Sequence, residues 1–168
     1  KQNSVTTPLG KAQIVTVDKG TSLLQKGAPN LPKLIFSLLI PNQKNSQIEI
    51  LESHYTEYQD IAIAPSKGKI LRTINPADIP YTYSDIYQTN AFFPSQLALL
   101  NTPYILRDFR GQTVQIDPVQ YNPVTKVLRV YTDLKIKITY TGISTINTLA
   151  NPEMPARINE LYDGIYEN

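Results

Sequence analysis

Residues 128–140 alternate strictly between side chains that can pack in a core and side chains that prefer water. The residues able to pack are Leu128, Val130, Thr132, Leu134, Ile136, Ile138 and Tyr140. A period of two places them on one face of a β-strand and the remaining residues on the other. The run is long for one strand, so a bend or bulge is expected near residues 132–133. This stretch favours an antiparallel sheet with one buried face.

A tight turn precedes this strand, in the hexapeptide YNPVTK at residues 121–126. Asn122 suits the first position of a type I turn, because its side chain can bond back to the main chain. Pro123 suits the second position, because its φ angle is already set. Val114 and Ile116 alternate in the same way upstream. The pattern predicts a β-hairpin.

Proline is the strongest indicator of fold class in this chain. Thirteen prolines spread over 168 residues leave gaps that fit strands but not several long helices. We therefore predict an all-β fold, an antiparallel β-sandwich resembling a jelly roll, in a single domain over residues 1–168. Residues 1–11 are expected to form a flexible N-terminal lead.

One short helix is expected at about residues 152–166, behind a polar linker at residues 142–150. Asn151 can cap this helix and Pro152 suits its first position, with Pro155 as an alternative start. The apolar residues that follow have the spacing of one helical face. They are Ile158, Leu161, Tyr162 and Ile165.

Five further segments carry local predictions. Residues 12–17 and 47–60 have the character of strands, the second with a change of face in its middle. Nearly continuous apolarity at residues 33–40 predicts a central strand buried on both faces, with a short buried helix as the alternative. Residues 70–74 are predicted to be an edge strand. Residues 75–93 are predicted to be a long ordered surface segment, and such loops often carry function.

The composition gives no argument for several kinds of partner. Sixteen basic and fourteen acidic residues leave a net charge of +2, too little to indicate nucleic acid or an anionic membrane surface. No apolar stretch approaches membrane-spanning length, and membrane insertion is not expected. The first residues lack a basic-then-apolar targeting pattern, so any such peptide is expected to have been removed or not included. Cysteine is absent, which excludes disulfides, thiolate metal sites and a cysteine nucleophile within these residues.

The chain holds one histidine, His54, with Glu52 two residues before it on a predicted strand. A metal or acid–base site would need further ligands, so a solvent-facing histidine is the favoured interpretation. The seven glycines form neither a phosphate loop nor a nucleophile elbow. We expect no catalytic, cofactor or metal site, and a role in binding another protein.

Two other groups of residues leave alternatives open. Asp108 lies between Arg107 and Arg110 in LRDFRG, and a local ion pair at a strand end is favoured over an anion-binding fork. Aromatic residues concentrate between positions 81 and 104, where core packing is favoured over an interface or a sugar-stacking platform. These aromatic residues are Tyr81, Tyr83, Tyr87, Phe92, Phe93 and Tyr104.

Six short motifs occur in a distinctive order between residues 27 and 140. They are GAPNLP (27–32), APSKG (64–68), NPADIPYTY (75–83), FFP (92–94), ILRDFRG (105–111) and YNPVTK (121–126). This series resembles the N-terminal propeptide of gingipain-type cysteine peptidases. YNPVTK followed by an alternating strand is the most specific motif, and the predicted C-terminal helix also resembles the last element of that propeptide.

The resemblance implies an all-β, non-catalytic prodomain without cofactors that docks on the catalytic domain of its own precursor. It would keep the cysteine peptidase latent by covering its active-site cleft, assist its folding and be removed by proteolysis. Export through the periplasm of a Bacteroidota-type bacterium to the surface or the medium, by type IX secretion, is also implied. The alternative is a surface β-sandwich module that binds carbohydrate or protein.

The resemblance further implies that one prodomain loop enters the peptidase cleft, with a basic plug residue in members specific for Arg or Lys. The matching residues 87–91 contain neither Lys nor Arg. We expect Asn90 or Ala91, or a nearby basic residue, to occupy the pocket, with Phe92 and Phe93 as anchors. In the alternative, both rings belong to the core and the loop is inert. The candidate inhibitory loop is Thr89, Asn90, Ala91, Phe92 and Phe93, and the candidate interface aromatics are Tyr81, Tyr83 and Tyr87.

Overall fold

A computed structural model describes residues 2–150, and the predicted helix at about 152–166 lies outside them. The described residues form strands β1 Gln2–Thr7, β2 Gly10–Val15, β3 Thr21–Ser22, β4 Pro32–Leu39, β5 Asn45–Tyr58, β6 Ala98–Leu100, β7 Tyr104–Leu106, β8 Phe109–Ile116, β9 Val119–Asn122 and β10 Val127–Thr141. Two short 3₁₀ helices lie at Pro76–Asp78 and Asp85–Gln88. Neighbouring strands pair antiparallel, for example β1 with β2, β9 with β10, and β8 with both β6 and β7. The predicted all-β, antiparallel class is confirmed.

The chain divides into two compact units. Among residues 2–150, the first unit contains residues 2–34, 53–97 and 117–133, and the second contains residues 35–52, 98–116 and 134–150. Strands β4, β5 and β10 each contribute residues to both units. Strand β10 continues without a break through residues 132–133, where a bend or bulge was expected. The division between the two units falls at the same residues.

The first unit is built around the hairpin predicted from YNPVTK, which is confirmed. β9 and β10 pair from Val127 opposite Asn122 to Val130 opposite Val119. The Asn122 side-chain oxygen accepts hydrogen bonds from the main-chain N–H groups of Val124 (3.1 Å) and Thr125 (3.3 Å). The side chain therefore closes the turn, as its position before proline predicts.

The core of the first unit gathers residues from distant parts of the chain. Its fully or nearly buried members are Val15, Leu31, Ile63, Val119, Tyr121 and Leu128. Alternation places Leu128 inward while Arg129 remains partly exposed, as the period-two pattern predicts. The hairpin thus supplies core residues against which the surrounding segments pack.

The N-terminal residues form an ordered hairpin. β1 and β2 pair from Gln2 opposite Val15 to Thr7 opposite Gly10, and Gly10 turns the chain at a φ of 108°. Gln13 in β2 exchanges main-chain hydrogen bonds with residues 62 and 64, at 2.7 and 2.9 Å. The prediction of a flexible lead over residues 1–11 is therefore wrong for 2–11, because partners distant in sequence fix a segment whose own composition is polar.

The second unit is organised by β8. β4 and β6 flank β8 in its sheet, and β7 also pairs with β8. Phe109 and Val114 are buried, at 1% and 2% exposure. Along β10, the half-buried Leu134, Ile136 and Ile138 alternate with the exposed Lys135 and Lys137, as predicted. No helix among residues 2–150 has the length and apolarity needed to cross a membrane.

Most of the remaining local predictions hold, but two do not. The strands predicted at 12–17 and 47–60 correspond to β2 and β5, and residues 75–93 form a surface segment without strands. Residues 33–40 form a strand, yet Ile35 and Phe36 are 43% and 36% exposed. Since consecutive strand residues face opposite sides, β4 is not buried on both faces. No strand forms at 70–74, where Ile74 N–H closes a turn onto the Leu71 carbonyl.

Candidate functional site

The candidate inhibitory loop at residues 89–93 follows directly on the 3₁₀ helix Asp85–Gln88 in the first unit. The Thr89 N–H donates to the Ile86 carbonyl and its hydroxyl to the Asp85 carbonyl, both at 3.1 Å. The Ala91 N–H donates back to the Thr89 carbonyl at 2.9 Å. The residues of the tip, Thr89, Asn90 and Ala91, are exposed. The tip is therefore locally folded and open to solvent.

The turn of the β9–β10 hairpin holds the tip. The Asn122 side-chain N–H₂ donates to the side-chain oxygen of Asn90 at 2.9 Å. Asn122 is only 6% exposed, and its own oxygen already accepts the two N–H groups of the turn. The buried side-chain amide of Asn122 thus closes the hairpin turn through its oxygen and positions the loop through its N–H₂ group.

Phe93 fixes the far end of the loop. Its N–H and C=O exchange hydrogen bonds of 2.9 and 2.8 Å with the main chain of Tyr121, and its ring packs against the core. Directly after it, the Pro94 carbonyl accepts from the Gln120 side chain at 2.7 Å. Gln120 in turn accepts from the Tyr131 hydroxyl at 2.8 Å. The loop is therefore attached to the hairpin through its main chain as well as through side chains.

Phe92 is held by a cation–π contact. The guanidinium carbon of Arg129 lies 3.9 Å from the centre of the Phe92 ring and 4.2 Å from that of Tyr55. Glu57 accepts two hydrogen bonds from the same guanidinium, at 2.7 and 3.1 Å. The charge of Arg129 is thus paired while its planar faces stack on rings, a geometry that lysine cannot reproduce.

Both aromatic residues of the loop are packed, while the three residues before them are not. Phe92 and Phe93 are half-buried. The sequence left two alternatives open: a plugging loop with anchoring rings, or an inert loop with core rings. Both place the rings against the first unit, where they lie, and the tip before them is exposed. Whether Asn90 or Ala91 fills a pocket stays a prediction.

The segment that leads to the loop is fastened at Gly27. The Ser84 N–H and hydroxyl both donate to the Gly27 carbonyl at 3.0 Å, and the Gly27 N–H donates to Ser66 at 2.9 Å. Gly27 has a φ of 79°, and a Cβ there would lie 3.1 Å from the main-chain nitrogen of Ser84. The motifs GAPNLP and APSKG therefore meet beside the start of the loop segment.

The three candidate interface tyrosines are engaged within the first unit. Tyr81 lies under the Lys67 ammonium group, 4.4 Å from the ring centre. The Tyr83 hydroxyl donates to the Thr7 hydroxyl at 2.7 Å, and the Tyr87 hydroxyl donates to the Ile63 carbonyl at 2.8 Å. Tyr83 and Tyr87 also meet edge to face, with ring centres 4.6 Å apart. All three are half-buried, so none is a flat exposed platform.

The isolated histidine is a surface residue. The His54 side chain is 70% exposed, with its Nδ1 3.5 Å from Asp133, while Glu52 pairs with Lys135 at 3.2 Å. Within residues 2–150, no group of three or more His, Asp or Glu side chains could hold a metal ion. His54 and Glu52 are therefore each paired with a different residue of β10.

The hydrogen-bond partners of Arg110 in the second unit differ from the predicted one. Arg110 is 2% exposed, and all five N–H donors of its guanidinium are used. They bond to the carbonyls of Pro41, Lys44, Ile146 and Asn147 and to the Ser144 hydroxyl, at 2.9–3.0 Å. Arg107 and Asp108 are exposed in the β7–β8 turn. The favoured local ion pair is therefore wrong for Arg110, because main-chain carbonyls of two distant loops meet the buried charge.

Two contributors to the loop site were missed in the sequence. The Asn-Pro dipeptide predicts that Asn122 bonds to its own turn, but it carries no sign that the remaining amide N–H₂ would hold Asn90. Arg129 is one of the polar residues in an alternating strand, and nothing in that pattern predicts two aromatic partners. Both roles depend on residues that lie far away in the sequence.

The geometry in the first unit defines a class of protein: an all-β binding domain that presents a short loop with an exposed tip and aromatic anchors. Comparison with known proteins gives the family. Residues 1–154 match the model of the Propeptide_C25 family. The chain belongs to this family, so the predicted gingipain-type propeptide is confirmed.

The curated relatives that match are gingipains of Porphyromonas gingivalis. The chain is 40% identical to gingipain R1 over 168 residues, which is 100% of this chain and 17% of that protein. It is also 40% identical to gingipain R2 over 167 residues, 98% of this chain and 23% of that protein. The chain thus spans less than a quarter of the length of these relatives.

Solved structures show the same fold. The structure described as a complex of Porphyromonas gingivalis RgpB pro- and mature domains matches with a TM-score of 0.93 and 39% identity, covering 100% of this chain and 86% of that chain. A structure concerned with the zymogenic latency of gingipain K matches with a TM-score of 0.71 at 19% identity, over 84% of this chain and 81% of that chain. The second likeness is one of fold alone.

Proposed function

We propose that this prodomain keeps the cysteine peptidase of its own precursor latent by covering the active-site cleft, assists the folding of that peptidase, and is removed by proteolysis. The observation that carries the proposal is the loop at residues 89–93, whose tip is exposed while Asn90 and Phe93 are bonded to the β9–β10 hairpin. A loop that is already ordered loses little conformational entropy on binding. Kinship with the RgpB prodomain, whose complex with the mature domain has been solved, supports the partner.

The tip supplies the plug in this proposal. Asn90 or Ala91 enters the specificity pocket of the peptidase, and Phe92 with Phe93 anchors the loop from behind. Neither plug residue is charged, so the cognate pocket is one that accepts a small or amide side chain, or a nearby basic residue reaches it. Tyr81, Tyr83 and Tyr87 contribute by holding the loop segment in place rather than as open contact surfaces.

We also propose the route of the precursor. It passes through the periplasm and reaches the cell surface or the medium by type IX secretion, as the kinship with gingipain precursors of Porphyromonas gingivalis suggests. Detection of the precursor in the periplasm of a strain that lacks the type IX apparatus, and its loss from the medium, would test this route.

Inhibition in trans tests the latency proposal directly. The 168-residue chain is titrated against the catalytic domain of its own precursor, and wild type is compared with the double variant Asn90→Glu/Ala91→Glu. Charges placed on the plug are expected to raise the inhibition constant Ki at least tenfold, since central contacts carry most of the binding energy of an interface, about 2 kcal/mol or more each. The control Asn3→Glu/Ser4→Glu adds the same charge at exposed positions of β1 and should leave Ki within about twofold.

The outcomes separate the plug from the wider function. Unchanged inhibition by the loop variant would eliminate residues 90 and 91 as the plug. Absence of inhibition by the wild-type chain would contradict the latency function itself.

A further inference from the structure

A cavity of about 240 Å³ lies in the first unit, beside the segment that leads to the loop. Its walls come from the β1–β2 hairpin, from residues 62 and 63, from Tyr83 and Tyr87, and from the β9–β10 hairpin. A water molecule takes up about 30 Å³ of liquid, so the volume admits a side chain as well as solvent. The cavity is thus large enough for one residue of a partner protein.

Three tyrosines make the cavity wall rigid. The hydroxyls of Tyr87 and Tyr121 each donate to a main-chain carbonyl at 2.8 Å. The Tyr83 hydroxyl donates to Thr7, whose own hydroxyl donates to the Gly10 carbonyl at 2.9 Å. Burial raises the pKa of Tyr87, which keeps its hydroxyl protonated and neutral. A wall fixed in this way is formed before any ligand arrives.

The charges around the cavity have one sign. Lys11 and Lys126 line it, and no Asp or Glu does so among residues 2–150. Both lysines are exposed, so their ammonium groups can reach a group seated at the mouth of the cavity. The remaining lining residues are neutral, which makes the cavity complementary to a negatively charged ligand with an apolar stem.

The cavity and the loop share their supporting residues. Tyr87 lies in the 3₁₀ helix that ends where the loop begins, and Asn122, which holds Asn90, lies between the cavity residues Tyr121 and Pro123. Adjacent residues of the same hairpin therefore support both the loop tip and the cavity.

We propose that this cavity is a second docking site, which receives an acidic side chain, Asp or Glu, from the peptidase domain of the precursor. The carboxylate pairs with Lys11 and Lys126 at the mouth, and the methylene stem packs against the tyrosine rings. This inference rests on the proposed latency function and adds a contact outside the peptidase cleft, which would orient the prodomain before the plug enters.

Charge reversal at the two lysines tests the site. In Lys11→Glu/Lys126→Glu, the Ki against the catalytic domain should rise about tenfold or more, because two attractive contacts become repulsive. Lys19→Glu/Lys69→Glu is the matched control, since both lysines are exposed in the same unit and neither lines the cavity. It should change Ki by no more than about twofold. The wild-type Ki should also rise as NaCl is raised from about 0.05 M to about 0.5 M, because salt screens the attraction. The Ki of Lys11→Glu/Lys126→Glu should fall over the same range, because salt screens the repulsion as well.

A second variant tests the volume of the cavity and keeps both lysines. Ala62 is half-buried and lines the cavity, so Ala62→Leu should fill part of it and raise Ki at every salt concentration. Thermal unfolding of each variant checks that the fold is intact. Inhibition by Lys11→Glu/Lys126→Glu equal to that of wild type would overturn the site and leave the latency function standing.

A binding measurement on the prodomain alone keeps the site testable if the latency function fails. N-acetyl-glutamate amide, titrated into the isotopically labelled chain, should shift the amide signals of Ala12, Ala62 and Ile63 in a saturable manner. The neutral isostere N-acetyl-glutamine amide should not. Absence of saturable shifts with the glutamate probe would overturn the carboxylate site, whatever the inhibition assay shows.

Discussion

Two irregular segments of this prodomain are held in place by different chemistry. Residues 75–93 in the first unit are fixed by many separate contacts: hydrogen bonds of amides and hydroxyls, packed aromatic rings and two cation–π contacts. Residues 142–150 in the second unit surround the buried guanidinium of Arg110, which bonds to three of them. Side chains of Asn42 and Asn45 add hydrogen bonds to Leu149 and Ile143.

The difference shows how irregular backbone can be ordered without strands. In residues 75–93 the stabilisation is spread over many modest contacts, so a single loss weakens one part of the segment. In residues 142–150 it is concentrated in one charge, so a single loss leaves several carbonyls without their donor. The segment predicted to be a linker is thus tied down by its contacts, although it contains no regular element.

The largest effect is expected at Arg110. Arg110→Met fills similar space but removes five hydrogen bonds, one of them buried and four partly buried, and should lower the free energy of unfolding by about 3–5 kcal/mol. Urea unfolding measures this change. Hydrogen exchange should become faster at residues 143–149, with residues 89–93 as the internal control.

Arg110→Lys sharpens the same comparison. It keeps the charge but not the planar fork, so it should recover only part of the lost stability. A loss below about 1 kcal/mol in Arg110→Met would contradict the idea that one charge orders the second segment.

Next in size is an alkaline effect in the first unit, at one tyrosine of residues 75–93 and one of β9. Burial raises the pKa of Tyr87 and of Tyr121 in the folded chain above the ordinary value near 10. Above pH 10 the unfolded chain releases these protons while the folded chain retains them, so stability falls as pH rises, by up to about 1.4 kcal/mol per pH unit for each group.

Urea unfolding at several pH values between 8 and 11 checks the alkaline effect. Tyr87→Phe loses the hydrogen bond to Ile63 but should show a shallower decline above pH 10. Tyr58→Phe, at an exposed tyrosine, is the control and should leave the slope unchanged. Equal slopes in wild type and Tyr87→Phe would contradict the assignment.

The smallest effect is expected at Asn122, where two roles can be separated. Asn122→Asp keeps the oxygen that accepts from the turn but replaces the N–H₂ donor to Asn90, so it should cost only about 1 kcal/mol. Its Ki should nevertheless rise because the loop tip is released. Asn122→Ala should cost more, about 1–2 kcal/mol, because the turn loses its acceptor as well. Equal Ki values for Asn122→Asp and wild type would show that the tip needs no tie to the hairpin.

The sequence was most informative where one short segment decides the outcome. The alternation at residues 128–140, the Asn-Pro turn and the spread of prolines predicted strands, a hairpin and the all-β class, all of which the structure contains. The motif series predicted the propeptide family, which the family match confirms. The surface segment at 75–93 was also predicted, because two prolines and the absence of a sustained hydrophobic period argue against a strand or a helix there.

Prediction failed where the partner of a segment is remote. The polar composition of residues 2–7 predicted a flexible segment, yet these residues pair with β2, which is itself bonded to residues 62 and 64. The apolar run at 33–40 suggested burial on both faces, but burial depends on which elements cover each face. Arg110 was assigned to its neighbour Asp108, although its true partners lie 34 to 69 residues away in sequence.

By itself, the sequence determined the long alternating strand, the Asn-Pro turn before it and the family of this prodomain, because steric preferences of the backbone and the period of apolar residues act over a few neighbours. Only the tertiary structure decided that Asn122 holds the loop tip, that Arg129 stacks on Phe92, and that two lysines and three tyrosines surround one cavity. Those contacts join parts of the chain that are remote in sequence, and these parts come close to one another only when the core has formed.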